Sequence, residues 1–178
     1  MGSGAQGRRS RVFFALWPDE TACDALASLA YAAQAQCGGR ATAREKIHLT
    51  LFFVGDIETA RIAELETAAG SLRTAPFDLV LDRVGHWRHN HIVWAGASAS
   101  PPALTALAAD LKAALARVDV HGEDRPYAPH VTLVRNAARA LAGETFPPCM
   151  WRAREFALVQ SVPVAGGVRY DIRVRWPL

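Results

Sequence analysis

Lys46–Gly55 reads KIHLTLFFVG, and 82 residues further on Ala128–Asn136 reads APHVTLVRN. Each stretch holds the same phrase, His, an apolar residue, Thr, Leu: His48-Leu49-Thr50-Leu51 and His130-Val131-Thr132-Leu133. β-branched and aromatic residues dominate both runs, which predicts strands. Side chains at i and i+2 of a strand share a face, so each copy sets one imidazole beside one hydroxyl. Over Ile47–Val54 the alternation predicts Ile47, Leu49, Leu51 and Phe53 toward the core. It predicts His48, Thr50 and Phe52 toward a cleft.

The chain reads outward from these two phrases. Arg11–Trp17 is a buried first strand. Pro18-Asp19-Glu20 opens a helix whose apolar stripe is Cys23, Leu26, Leu29, Ala30 and Ala33, and Gly38-Gly39 stops it. A second helix is predicted over Thr59–Ser71 and a third after Pro101-Pro102, with Leu104, Leu107, Leu111, Leu115 and Val118 inward. Strands are predicted at Phe77–Val84 and His91–Ala97, joined through residues 85–90. Others are predicted at His130–Val134, Glu155–Val162 and Val168–Trp176, the last two joined at Gly166-Gly167. Hairpins and helical crossovers alternate, so the fold class is α+β. Each half supplies a long helix, several strands and one copy of the phrase. The expected architecture is two similar lobes with antiparallel sheets flanking a central cleft and helices outside. Residues 1–10 are expected to be a flexible tail and 11–178 a single bilobal domain.

Composition narrows the class. The chain has 178 residues, about half of them apolar, and a net charge of +3. That balance suits weak attraction to a phosphate-bearing ligand and does not demand one. Three cysteines without a CxxC fit a reduced, cytoplasmic protein. No apolar run approaches the roughly 18 residues of a membrane span, and residues 1–10 lack the apolar region of a signal peptide. Gly2–Gly7 matches GxGxxG by letter, but no strand precedes it and no helix comes after, so it carries no dinucleotide site.

Two imidazoles and two hydroxyls facing one cleft form a kit for opening a phosphodiester. Histidine titrates near pH 6.5 and can serve as acid or base. The threonine hydroxyls can donate to the charge that builds on the non-bridging oxygens. The kit calls for no cofactor and no metal. His86, His89 and His91 cluster near a turn but have no carboxylate close by in sequence, and they read as a surface turn. Cys149 has no partner histidine, and GxSxG, Walker A and HExxH are absent.

The paired phrase resembles the HxT signature of the two-histidine (2H) phosphoesterase superfamily. The nearer resemblance is to its RNA 2′,3′-cyclic phosphodiesterases, also called 2′-5′ RNA ligases. RVFFAL before a Pro-acidic helix start, the Gly-x-Trp-Arg and Ile-Val-Trp segments at 85–94, and Arg125-Pro126-Tyr127-x-Pro129 before His130 carry it further, from Arg11 to the end. The resemblance implies metal-independent hydrolysis of 2′,3′-cyclic phosphate ends to 2′-phosphates, with reversible 2′-5′ joining in some members. It implies His48 as proton donor, His130 as proton acceptor, Thr50 and Thr132 on the phosphate and Arg135 near the substrate. Strand parity puts Arg135 opposite His130, so the strand must bend or end before it. Phe14 and Tyr127 are candidates to border the nucleoside, since aromatic faces stack on bases. Arg152, Arg154, Arg169, Arg173 and Arg175 form a modest basic patch, read as the solvated face of an edge strand or as a track for a longer RNA backbone. The expected partner is an RNA with a cyclic phosphate end or a small cyclic nucleotide, bound by a monomer without a membrane. A non-catalytic RNA-end binding module and metal-assisted hydrolysis at the histidine turn are the alternatives of other classes.

Overall fold

Pro18 and Asp19 separate the first strand from the first helix, and the reason is local. β1 is Arg9–Leu16 and α1 is Glu20–Cys37. The Asp19 carboxylate accepts from the Ala22 amide at 2.9 Å, a helix cap worth about 1 kcal/mol. Gly38, at φ +70°, closes the helix. In this computed structural model, residues 8–123, 125–141 and 146–178 are described. The tail expected over 1–10 therefore lies mostly outside the described residues. Arg9 and Ser10 belong to β1, where Ser10 pairs with Ile57.

The remaining elements are β2 (Arg40–Ala41), β3 (Leu49–Glu58), α2 (Ile62–Gly70), β4 (Phe77–Leu81), β5 (Arg83–Trp87) and β6 (Ile92–Gly96). After them come α3 (Pro102–Ala116), β7 (Val131–Arg135), β8 (Cys149–Ala153), β9 (Glu155–Val164) and β10 (Gly167–Pro177). Every pairing is antiparallel. One sheet runs β10-β9-β1-β3-β7-β6-β5, with β2 added beside β7, and a second pairs β4 with β8. The run Phe77–Val84, expected as one strand, divides at Asp82. β4 leaves to pair with β8, and β5 forms the hairpin with β6. Asp82 fixes the divergence by accepting from the Ser98 amide and hydroxyl.

The halves are built alike and exchange helices. Each runs strand, long helix, His-x-Thr strand: β1-α1-β3 and β6-α3-β7. α1 packs against β7 and β8 of the other half, and α3 packs against β3 and α2. The main core fills the helix side, with Phe14, Leu26, Leu49, Leu107, Leu111, Leu133 and Trp151 among its buried residues. A smaller cluster, Phe13, Ala15, Ala157 and Val159, lies apart from it and is packed by Trp17 and Tyr170. No described helix is long and apolar enough to cross a membrane.

Candidate active site

β3 and β7 meet through one register pair, Leu49 opposite Val131. Continuing that antiparallel count sets His48 against Thr132 and Thr50 against His130. The two phrases are therefore neighbours related by a local two-fold.

Two β-bulges then shape the floor. Along β1, Phe14 pairs with Phe52 and Ala15 with Thr50, so β3 carries one extra residue. Along β6, Trp94 pairs with Thr132 and Val93 with Val134, so β7 carries one extra residue at the equivalent place. A bulge inverts the facing of the residues beyond it. Leu51 and Phe52 are consequently both buried, and Phe53 is 41 % exposed. This corrects the simple alternation, which sent Phe52 to the cleft and Phe53 to the core. In β7, Leu133 and Val134 are both fully buried and Arg135 turns out. The bend that Arg135 required is this bulge, and the symmetry makes Phe53 its counterpart in the other half.

The imidazoles are held identically. His48 Nδ1 bonds the Lys46 carbonyl at 2.7 Å, and His130 Nδ1 bonds the Ala128 carbonyl at 2.8 Å. A carbonyl only accepts, so Nδ1 carries the hydrogen and Nε2 is left to exchange protons. Trp17 stacks on His48 at 5.1 Å and 16°, with Phe13 at 5.0 Å and Tyr170 edge-on at 5.3 Å. Trp87 meets His130 edge-on at 4.5 Å and rests in turn on Trp94. Gly85 is what lets Trp94 lie there, since a Cβ would stand 2.1 Å from its ring.

Enclosure sets the electrostatics. Burial pushes the His48 imidazole down to about 4, and the charges of Arg135 and His130 act the same way against the favourable Lys46 carbonyl. His130 is also lowered, by burial first and then by Arg125 and Arg135. Arg135 thus acts on both histidines.

The structure brings His48, Thr50, His130, Thr132 and Arg135 to one floor. Tyr127 borders it, its hydroxyl donating to the Thr50 carbonyl at 3.1 Å, and with Thr50, Phe53, Trp87 and His130 it lines a cavity of about 320 Å³. Phe14 is not at the site. It is fully buried in the main core beside Trp176, and its neighbour Phe13 is the ring at His48. Sequence reasoning missed Phe13, Trp17, Phe53, Trp87 and Tyr170. Phe13 and Trp17 share a facing along the first strand, which was the available signal.

Other candidates lie elsewhere. Cys23, Cys37 and Cys149 are free and buried, and burial raises each thiol, the opposite of an activated nucleophile. His86 keeps both ring nitrogens buried without a partner, while His89 and His91 are exposed. Among the described residues no three His, Cys, Asp or Glu side chains are grouped to hold a metal. On the C-terminal strands Arg169 pairs with Asp171 and Arg175 with Glu155, and Arg152 pairs with Asp78.

The sequence and the fold are similar to those of known proteins. The family model of the 2'-5' RNA ligase superfamily matches residues 18–163. The chain is 35 % identical over 144 residues to the RNA 2',3'-cyclic phosphodiesterase of Escherichia coli (strain K12), covering 79 % of this chain and 80 % of that protein. It is 24 % identical over 177 residues to the protein of the same name from Archaeoglobus fulgidus, covering 92 % of this chain and 98 % of that one. The crystal structure of E. coli LigT complexed with 3'-AMP superposes with a TM-score of 0.87 at 31 % identity, covering 96 % of this chain and 99 % of the other.

Proposed function

The chain belongs to the 2'-5' RNA ligase superfamily, and on that premise we propose that it hydrolyses RNA 2′,3′-cyclic phosphate ends to 2′-phosphates between His48 and His130. The observation that carries this is the Leu49–Val131 register, which makes neighbours of two imidazoles whose Nδ1 atoms are both anchored to backbone.

His130 Nε2 takes a proton from water as the water oxygen attacks phosphorus. His48 Nε2 gives its proton to the departing 3′ oxygen. Thr50, Thr132 and Arg135 answer the charge that gathers on the non-bridging oxygens. In the free protein the His48 imidazolium is a minor species. The phosphate of the substrate brings a negative charge beside it and favours the protonated ring. The face of Trp17 favours it as well. The protein works as a monomer in the cytoplasm. Three buried free thiols suit a reducing compartment.

The test is hydrolysis of a short RNA ending in 2′,3′-cyclic phosphate, with excess EDTA, resolving 2′- from 3′-phosphate. The expected product is the 2′-phosphate. His48→Ala and His130→Ala should each lower kcat about 10²–10⁴-fold, measured at a temperature where the variant is fully folded. Thr50→Val and Thr132→Val should each cost about tenfold to a hundredfold. Tight RNA binding without turnover would replace this reading by that of an RNA-end binding module.

A further inference from the structure

Two arginines stand opposite one another at the edge of the catalytic floor. β2 pairs with β7 and sets Arg40 directly against Arg135. Residues opposed in this way share a face, with Cβ atoms about 4.5–5.5 Å apart. Ala41, the next residue, packs against the main core, so Arg40 faces the cleft as Arg135 does. Both are exposed, and like charges set directly opposite one another are destabilising. A charge that only guards an edge strand can be of either sign, and a carboxylate at position 40 would attract Arg135. Among the described residues neither arginine has a salt bridge. Arg169 and Arg175 of the C-terminal strands, by contrast, are neutralised by Asp171 and Glu155.

The two guanidiniums serve different points. The charge of Arg135 bears on both His48 and His130, and Arg40 is not among the charges that do. Arg135 therefore belongs to the reacting phosphate, and Arg40 stands one step outward from it. β2 continues the line of β3 along β7, on the side of His48. In an in-line displacement the leaving 3′ oxygen lies on the side of the acid, and its ribose, with the 5′ carbon, lies there too.

We propose that Arg40 binds the phosphodiester joining the terminal nucleotide to the rest of the RNA, and so makes the site prefer an RNA end to a free cyclic mononucleotide. This rests on the reaction and the acid–base assignment given under the proposed function. A cyclic mononucleotide has no second phosphate to offer. An RNA end offers one, which gains a charge-assisted hydrogen bond and relieves the repulsion between the two guanidiniums.

The test compares three substrates. They are uridine 2′,3′-cyclic phosphate, the dinucleotide UpU ending in 2′,3′-cyclic phosphate, and the same dinucleotide with a neutral methylphosphonate as its inner linkage. kcat/KM is measured for each over a range of salt concentrations, where each protein is fully folded. The wild-type protein should prefer the charged dinucleotide to the neutral one by about fivefold, the upper range for an exposed ion pair. Arg40→Gln should remove that preference, with the loss in KM rather than kcat. It should also flatten the slope of log kcat/KM against log salt for the charged dinucleotide by about 0.7, the share of one phosphate on a single strand. Arg40→Lys should keep most of the preference and of the slope, because the point charge remains. A wild-type protein that does not distinguish the charged from the neutral dinucleotide overturns the proposal. So does an Arg40→Gln loss of equal size on all three substrates, which would give Arg40 to the reacting phosphate. Absence of hydrolysis of all three by the wild type removes the proposed function, and this contact with it.

Discussion

Leu49 lies directly opposite Val131, and both side chains are completely buried. This pair is the seam between the halves, and the residues on either side of it carry the chemistry. Leu49→Ala should cost about 2–5 kcal/mol in urea unfolding. With Val131→Ala it should be non-additive by about 0.5–3 kcal/mol, because both changes open one shared space. kcat of the folded single variant should fall about a hundredfold, as reacting groups displaced by about an ångström do. Full kcat in the destabilised variant would show that the seam holds the fold and not the site.

The shifted histidines set a pH dependence with a definite sign. Both are depressed in the free protein, His48 to about 4. kcat/KM reports the free protein and should therefore peak on the acid side of pH 6.5. kcat reports the complex, where the phosphate charge raises both rings, so its profile should lie at higher pH. Arg135 depresses both groups, so Arg135→Gln should move the kcat/KM profile upward while weakening substrate binding. An unmoved profile would put Arg135 out of electrical reach. Stability obeys the same linkage. The unfolded chain binds a proton at position 48 near pH 6.5 that the folded chain takes up only near 4. Stability is thus full above about 6.5 and is lost as pH falls through that window. His48→Gln should flatten that part of the curve.

Gly39 holds the end of β7 in place. Its φ is +83°, and a Cβ there would stand 2.5 Å from the Arg135 carbonyl and 2.7 Å from that of Asn136. Gly39→Ala should cost about 1–3 kcal/mol and should raise KM, because the backbone forced aside is that of Arg135. Arg135→Gln should raise KM with little loss of Tm. Thermal unfolding read beside KM separates the two. A Gly39→Ala protein with wild-type KM would mean that Arg135 is placed without this contact.

The chemistry was legible in the sequence because it is written twice, and two copies of His-x-Thr-Leu point to one cleft. The facing of residues beyond each copy was not. A bulge is a relation between strands: Phe52 and Phe53 exchange roles because β1 pairs past Leu51, and nothing within LFFV encodes that. For Arg135 the parity conflict was visible, and it forecast the bend without its form. β8 escaped notice because Cys149–Ala153 is short and comes after two prolines, although its alternate residues are buried. The division at Asp82 depends on Ser98, 16 residues away.

The adjacent rings Phe13 and Phe14 turn that lesson into an experiment. Phe14 packs on Trp176 in the main core, and Phe13 lies 5.0 Å from His48. Phe14→Leu should lower Tm while leaving kcat/KM of the folded protein within about twofold. Phe13→Leu loosens the enclosure that keeps water from His48, so the imidazole should rise toward its ordinary value and the kcat/KM profile should move to higher pH. The measurement is a pH–rate profile of both variants at a temperature where each is fully folded. If Phe14→Leu proved the more damaging to activity under those conditions, its ring would belong to substrate recognition, and the facing of β1 that buries it in the core would be wrong.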